Sequence, residues 1–346
     1  MARTRTVTAA AVICILGAVC GAHGQDLQVG IIDFYGLNKV STSQVRSALA
    51  FKEGDTISLD GNEPPAFLRA SENRVAQLPG VARARTELVC CDHNRAIVYV
   101  GVEERGARTM HLRAAPLGTA RLPPDIVQSG VELSRALWLA VQRDDAAEDD
   151  SLGHALNHDP TTRAIQERFI RFAARDLPVL RRVLRTSSDQ NQRALAAEVM
   201  GYAPDKQAVV DDLVLGMTDP CDEVRNNAMR ALMVFADAAA GAHRPALSIP
   251  AQPFIAFLDS PVWSDRNKAS GALLALSRNR DPRLLSKLRK EARAPLVEMA
   301  RWKSEGHALA AFIILGRIAG YTDEEARALW NSGARETVTG AAVSRR

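Results

Sequence analysis

The C-terminal half of the chain repeats one pattern of polar and apolar positions. Arg193, Arg225 and Arg266 are each followed three residues later by Ala, and an apolar residue stands seven positions after each Arg. A weaker fourth copy begins at His307. This spacing places the apolar positions on one face of a helix. Recurrence of the same helix predicts a stack of helix pairs.

A second set of apolar helices supplies the partner for each copy. These partner helices are marked by leucine, valine and phenylalanine at helical spacing, in 177–184, 209–217, 254–258 and 284–288. Four pairs exceed the roughly three repeats that bury a continuous core. The pairs occupy 176–331, and a helical lead-in occupies 123–175. Four dipeptides are each predicted to cap and begin a helix: Asp159-Pro160, Asp219-Pro220, Ser260-Pro261 and Asp281-Pro282.

The best copy carries a family resemblance. Asp219 to Ala228 reads Asp-Pro-x-x-x-Val-Arg-x-x-Ala and resembles HEAT repeats, including the short type found in phycobilin-lyase-related proteins. The resemblance implies that Arg193, Arg225 and Arg266 brace one repeat against the next through an acidic or backbone partner. The alternative is that these arginines line a groove for an anionic ligand. His307 departs from the pattern, which suits a terminal cap.

The N-terminal part, from Leu27 to about Arg105, has a different pattern. Residues 96–103 alternate at the two-residue period of a half-buried strand, and residues 81–88 alternate as its hairpin partner. An opening strand at 29–35, a helix capped by Ser41 or Ser43 and a second helix at 64–77 precede the hairpin. The prediction for 25–107 is therefore an α+β domain, with a three-stranded sheet and two helices on one face.

Four short motifs in this region carry a second resemblance. Ile32–Gly36, Lys52–Asp55, Leu78–Val81 and Val100–Glu104 resemble, in order and spacing, the POTRA domain, the polypeptide-transport-associated module of outer-membrane assembly and division proteins. The resemblance implies a binding module that adds extended segments to a sheet edge. No alternating barrel-forming half follows it, which excludes a β-barrel insertase. The alternative is a sheet that only caps the helical repeats.

The first residues have the pattern of an export signal. Arg3 and Arg5 precede an apolar core at 7–19, and Ala22-His23-Gly24 offers small residues for cleavage. We therefore expect a signal peptide at 1–24 and a soluble mature chain that is periplasmic or secreted, close to the cell-envelope membrane. A retained signal anchor is the alternative, although the apolar core is shorter than the ~20 residues that a membrane span needs.

Composition and charge restrict the function further. The 346 residues are 47% hydrophobic and 24% charged, which is typical of a globular chain of about two domains. The net charge of +4 falls to about +2 without the predicted signal peptide. Arginines are spread through helices instead of forming a basic run with aromatics, so nucleic-acid binding is not expected. A linker is predicted at 108–122 and a disordered tail at 332–346.

Two places could hold a metal ion. His154 and His158 are four residues apart, which on a helix is zinc-binding geometry, but Ala155 stands where the HExxH motif requires Glu. Cys90 and Cys91 lie near His93, and Cys221 belongs to another predicted domain. The other interpretation is a buried Cys90 with Cys91 at the shoulder of a hairpin. The acidic run at 144–150 lacks the ligand spacing of an EF-hand and is predicted to be a solvated loop.

The sequence contains no GxSxG, Walker or GxGxxG motif and no Cys/His nucleophile arrangement. No catalytic residue and no cofactor are therefore predicted, and an enzyme is the less favoured class. The predicted function is an exported, non-catalytic scaffold that binds a protein partner through the concave face of the repeats. The alternatives are a metal-binding protein or metal-dependent enzyme centred on His154 and His158, and a lyase-like chaperone.

Overall fold

The structure, a computed structural model, describes residues 25–59, 65–93, 95–143, 145–240 and 247–345. The described residues form two compact units. The first unit is 114–248, and the second joins 25–113 to 249–345. The predicted signal peptide at 1–24 lies outside the described residues. In the part of the chain that is described, no helix combines the length and the apolar character that a bilayer span needs.

The N-terminal part of the second unit is a mixed four-stranded sheet in the order β2-β1-β4-β3. Its strands are β1 (Gln25–Tyr35), β2 (Thr56–Leu59), β3 (Val81–Asp92) and β4 (Arg95–Glu104). β1 is parallel to β4 and antiparallel to β2, and β3 is antiparallel to β4. The prediction of three strands was wrong, because β2 was missed. Four residues are too few for an alternating pattern to stand out from a loop.

Two helices cover one face of this sheet, as predicted. They are α1 (Thr42–Ala48) and α2 (Ala66–Ala76). Ser41 caps α1 in a reciprocal capping box with Gln44. Ile32, Val45 and Val98 belong to the buried core of this N-terminal layer. The alternating apolar positions of β1 and β4 are thus buried together with the apolar side of the helices.

The opposite face of the sheet is also buried, which the sequence analysis did not predict. Tyr99 on β4 stacks on Trp263, with ring centroids 5.1 Å apart, and Tyr35 on β1 lies 5.6 Å from Trp302. The Tyr35 hydroxyl donates a 2.8 Å hydrogen bond to the carbonyl of Pro261. β4 is therefore buried on both sides, and its prediction as a half-buried strand was wrong. Partners from positions 261–302 could not be foreseen from the local alternation.

Two further contacts join the sheet to this segment. The Glu87 carboxylate of β3 accepts hydrogen bonds from the backbone N–H groups of Trp263 (2.6 Å) and Ser264 (3.3 Å). A carboxylate there satisfies free N–H groups at a helix start and is favoured by the helix dipole. Gly101 on β4 permits close backbone approach, since a Cβ at this position would lie 1.9 Å from the Pro261 carbonyl oxygen.

The C-terminal part of the second unit is helical. Its helices are α8 (Ala251–Phe257), α9 (Trp263–Leu276), α10 (Pro282–Glu291), α11 (Arg293–Ala300), α12 (Glu305–Ala319), α13 (Asp323–Asn331) and α14 (Arg335–Ser344). α12 is the central helix and contacts α9, α10, α11, α13 and α14. Thr322 caps α13 in a reciprocal capping box with Glu325.

Helix α14 occupies the segment predicted to be a disordered tail, so that prediction was wrong for 335–344. Val338 and Ala342 are one helical turn apart, and both are fully buried. α14 packs on α12, where Val338 approaches Gly316. The tail looked polar because its buried face consists of two short apolar side chains, those of Val338 and Ala342, together with the polar Thr339.

The first unit is mainly helical. Its elements are α3 (Pro124–Gln142), β5 (Glu148–Asp149), β6 (Leu156–Asn157), α4 (Pro160–Thr186), α5 (Gln190–Met200), α6 (Gln207–Gly216) and α7 (Asp222–Ala240). α5 packs against α4 and α7, and α7 also packs against α6. Leu232, predicted to be a core residue of the repeats, is fully buried.

The predicted fold class is confirmed at the level of an N-terminal α+β sheet domain followed by a helical region. The two units, however, group the elements differently from the predicted domain boundaries. The sheet of 25–107 shares a unit with helices from beyond residue 248, and the predicted repeat region 176–331 is divided between the units. The reason is the aromatic second face of the sheet, which requires helical partners from the distant half of the sequence.

Candidate functional site

The first predicted brace, Arg193 on α5, makes three hydrogen bonds in a fully enclosed position. Its Nε and Nη2 each donate to an Asp219 carboxylate oxygen at 2.8 Å, and its Nη1 donates to the Ser187 carbonyl at 2.9 Å. The Arg193 side chain is 2% exposed and that of Asp219 is 0% exposed. The contact joins the start of α5 to the turn before α7.

Arg225 and Arg266 repeat part of this geometry. Arg225 donates to the carbonyl of Asp219 at 3.0 Å, and Arg266 donates to the carbonyl of Ser260 at 2.6 Å. In all three cases, the acceptor lies six residues before the Arg. Arg266 also forms a 2.7 Å ion pair with Glu298. All three arginines are at least 97% buried, so their guanidinium groups are not surface groups for a large anionic ligand.

The residue that accepts this bond also forms a tight turn. The side-chain oxygens of Ser187, Asp219 and Ser260 each accept from the backbone N–H two residues later, at 3.3, 3.0 and 3.1 Å. We call this arrangement the Arg-turn: a Ser or Asp that binds the N–H at position +2 and the guanidinium at position +6. It recurs at the starts of α5, α7 and α9.

The Arg-turn corrects two predicted helix starts. Asp159 and Asp281 cap α4 and α10, with Pro at the first helical position, as predicted. Asp219 and Ser260 instead lie in turns, and the helices begin at Asp222 and Trp263. Since Asp and Ser side chains bind nearby backbone N–H groups in both settings, the dipeptide does not distinguish a cap from a turn.

The fourth copy has a different partner. The His307 Nδ1 and the Tyr99 hydroxyl are 2.8 Å apart, and the His307 ring lies 4.8 Å from that of Trp263. Burial, and secondarily the charge of Lys268, lowers the pKa of His307 to about 4, so this imidazole is neutral at physiological pH. His307 thus joins the aromatic layer beneath the sheet.

An additional buried arginine was missed in the sequence. Arg317 on α12 is 4% exposed and forms a bidentate ion pair with Asp323, with N–O distances of 2.9 and 2.6 Å. It also donates to the carbonyl of Leu274 and the hydroxyl of Ser277. The sequence contained one indication of this contact: Arg317 and Asp323 are six residues apart and lie on either side of Gly320, the glycine at the end of α12.

The two candidate metal ligands do not lie on a helix. His154 precedes β6, accepts a 2.9 Å hydrogen bond from Lys206 Nζ on Nδ1 and stacks on Tyr202. His158 follows β6 and is exposed. The helical geometry considered for a zinc site is therefore wrong, because the residues between them form a strand. No group of three or more His, Cys, Asp or Glu in the described ranges is placed to hold a metal ion.

Cys91 and Cys221 differ in state. Cys91 takes part in a disulfide, so it has no thiolate to offer to a metal ion beside His93. Cys221 is free and half-buried at the start of α7. Burial raises the pKa of the Cys221 thiol and makes it a weak nucleophile at neutral pH. The side chain of Cys90 lies outside the described part of the structure.

The sheet edge expected to bind extended segments is partly occupied. β3 is an edge strand, and the backbone N–H of Thr86 donates to the Glu72 carboxylate of α2 at 3.1 Å. The Thr86 hydroxyl donates to the carbonyl of Leu68. A strand added to β3 would have to displace Glu72 at this point. The other edge strand, β2, is only four residues long.

The first unit contains an open cleft between α5 and α7. It has both polar and apolar walls and room for about one water molecule. Its lining residues are Ala155, Glu198, Gly201, Tyr202, Asn227, Arg230, Ala231 and Val234. The Tyr202 hydroxyl donates to the Ala155 carbonyl at 3.0 Å, which fixes one wall. The sequence analysis did not predict this cleft, because its lining comes from three separate segments.

The cleft lining carries one carboxyl group, that of Glu198, and one cation, Arg230. Arg230 pairs with Glu148 of β5. No donor among the described residues hydrogen-bonds the Glu198 carboxyl group. Burial raises the pKa of Glu198 to about 7, against a smaller opposing effect of Arg230 and with further increases from Glu223 and Glu148. The carboxyl group can therefore exchange a proton near neutral pH or pair with a bound cation.

A comparison of the sequence with models of protein families and with curated proteins gave no match.

Proposed function

We propose that the chain is an exported, non-catalytic scaffold whose helix pairs are HEAT-like repeats that bind a protein partner. The observation that supports this proposal is the Arg-turn, which recurs at the starts of α5, α7 and α9 with the same six-residue separation between acceptor and Arg. A repeated buried contact gives each helix pair the same local geometry. Repeat proteins use such regularly spaced helices to present extended binding surfaces.

The cleft of the first unit is the part of that surface that we assign to the partner. Asn227 and Arg230 extend from α7, and Glu198 extends from α5, so neighbouring helices contribute polar groups to one site. The lining carries one carboxyl group, that of Glu198, and one cation, Arg230, so it offers no excess of positive charge to the phosphates of nucleic acid. A protein segment with basic or amide groups is the complementary ligand.

The POTRA-like sheet is proposed as a secondary binding element through strand addition at an edge. Its two faces are covered, one by α1 and α2 and the other by the aromatic contacts with Trp263 and Trp302. The bond from Thr86 to Glu72 covers part of the β3 edge. These contacts favour the alternative role of the sheet as a cap on the helices of its own unit.

Site-specific photo-crosslinking tests the scaffold proposal. A photoreactive amino acid is placed at Asn227, in the cleft, and in a matched chain at Asp211, which is exposed on α6. After irradiation in cells, we expect one defined protein adduct from position 227 and none from position 211. No adduct at 227, or the same adducts at both positions, would contradict the proposal.

Export is tested separately with a reporter that is active only outside the cytoplasm. Residues 1–30 fused to alkaline phosphatase should give activity in a Gram-negative host, and replacement of Leu16 with Arg, within the apolar core, should abolish it. A fusion that stays inactive would rule out export. N-terminal sequencing of the mature chain distinguishes cleavage after Gly24 from a retained anchor.

A further inference from the structure

Helix α4 concentrates the positive charge of the first unit. It contains seven arginines and two carboxylates, Glu167 and Asp176. The rest of 114–248 contains 17 aspartates and glutamates against eight lysines and arginines. Exposed charges act over about 8 Å at physiological salt, so the arginines of α4 set the local field even though the unit as a whole is acidic.

The exposed side of α4 carries a row of arginines. Arg171, Arg175, Pro178 and Arg182 follow one another at intervals of four, three and four residues, and all four are exposed on either side of the kink at Asp176. These intervals place them on one side of the helix, over a length of about 16 Å. Arg175 forms two ion pairs, whereas no carboxylate among the described residues pairs with Arg171 or Arg182.

Helix α3 lies beside this row and adds apolar side chains. Arginines of α4 form ion pairs with Asp125 and Glu132, which hold α3 alongside α4. Val131, Arg135 and Leu139 are spaced by four residues on the exposed side of α3. Val131 is 60% exposed and Leu139 is 41% exposed. The outer surface of this helix pair therefore combines arginines with large apolar side chains.

One further apolar side chain projects at the end of the row. Leu117 is 90% exposed, more than the other large apolar side chains of the described residues. It is held beside the C-terminal end of α4, because the N–H of Gly118 donates to the Thr186 carbonyl at 2.8 Å and the Gly118 carbonyl accepts from the N–H of Ser188 at 2.7 Å. Arg121 is exposed in the same segment. Exposed apolar side chains among arginines are typical of surfaces that lie in a lipid interface.

We propose that the surface formed by Leu117, Val131, Arg171, Arg175 and Arg182 binds an anionic phospholipid bilayer. The guanidinium groups donate to headgroup phosphates, whose oxygens match their planar fork. The exposed leucine and valine enter the boundary between headgroups and acyl chains. A nucleic acid would satisfy the arginines but leave these apolar side chains in water. The binding requires no protein partner and holds the scaffold at a membrane surface.

Vesicle flotation with the full chain tests the proposal. One set of vesicles contains phosphatidylcholine alone, and the other contains two parts of phosphatidylcholine to one part of phosphatidylglycerol. We expect tighter binding to the anionic vesicles, and weaker binding as salt is added, because salt screens exposed charges. Equal affinity for the two vesicle types would overturn the proposal. A single-stranded oligonucleotide that binds more tightly than the anionic vesicles would assign the row to nucleic acid and overturn it as well.

Variants of the row separate its contribution from that of the apolar segment 7–19, which all of them retain. Arg171→Gln combined with Arg182→Gln should weaken binding to the anionic vesicles about thirtyfold, since each arginine contributes about fivefold, or about 1 kcal/mol. Arg283→Gln combined with Arg327→Gln makes the same charge change at exposed helix positions of the second unit and should leave binding unchanged.

Two more variants test the chemistry of the contact. Arg171→Lys combined with Arg182→Lys keeps the charge and should retain most of the binding, and circular dichroism checks that every variant is folded. Leu117→Ser should weaken binding several-fold, because the side chain no longer enters the lipid. Equal affinity of the natural chain and the Arg171→Gln, Arg182→Gln variant, or an equal loss in the control of the second unit, would overturn the proposal.

Discussion

Replacement of Arg193 with Met tests the energetic role of the Arg-turn. The change removes two hydrogen bonds to Asp219 and one to the Ser187 carbonyl, all between 2.8 and 2.9 Å. It also removes the Arg193 guanidinium from the Asp219 carboxylate, which is 0% exposed. Breaking a buried ion pair from one side costs about 3–5 kcal/mol, since the remaining charge stays buried.

The matched control is Arg163→Met. Arg163 forms an exposed i,i+4 pair with Glu167, a type of contact that contributes about 0.3–0.5 kcal/mol. Chemical denaturation at pH 7 should show a large loss of stability for Arg193→Met and almost none for the control. The double variant with Asp219→Asn should lose less than the sum of the single changes, because both changes break the same contact between Arg193 and Asp219. A loss below about 1 kcal/mol for Arg193→Met would refute a stabilising brace.

Three more predictions concern the cores and the cleft. Leu232→Ala removes a fully buried side chain and should destabilise the chain by about 2–5 kcal/mol in denaturation, and an effect near zero would argue against its place in the core. Gly101→Ala should lower the melting temperature and perturb tryptophan fluorescence, because a Cβ would lie 1.9 Å from the Pro261 carbonyl oxygen; unchanged values would refute this close approach. In the folded state the pKa of Glu198 is about 7, whereas its ordinary value is 4.5. Ionisation of Glu198 therefore destabilises the folded state as the pH rises from 4.5 to about 7. Glu198→Gln should therefore gain stability relative to the natural chain by at most about 3 kcal/mol from pH 4 to pH 8, and a pH-independent difference would contradict the shift.

The sequence pattern correctly predicted the elements whose residues contact others close to them in the sequence. Ser41, one of the two residues predicted to cap α1, does cap it, and its capping groups lie within four residues of each other in the sequence. The fold class was also predictable, since the change from a two-residue to a helical period is visible along the chain. Helix α14 was missed because its buried face, which includes Val338 and Ala342, has no large apolar side chain. In the sequence, such a pattern looks like that of an exposed polar segment.

The candidate site was less accessible to sequence reasoning. The repeat pattern singled out Arg193. No residue near it in the sequence indicated that Asp219 would be its hydrogen-bond partner. The cleft depends on Glu148, Glu198 and Arg230, which are separated by up to 82 positions and share no motif. These residues come together because α5 packs on α7. The pKa of Glu198 is raised because that packing buries its carboxyl group.

The buried second face of the sheet has a consequence for the order of events during synthesis. Tyr35 and Tyr99 are made long before Trp263 and Trp302, the residues that cover them. Until the ribosome has passed position 302, the nascent chain carries an aromatic sheet surface with no cover of its own. A chaperone that shields this surface would therefore be most needed while residues 114–302 are being added. If residues 25–107 were expressed alone, the aromatic face of the sheet would remain uncovered.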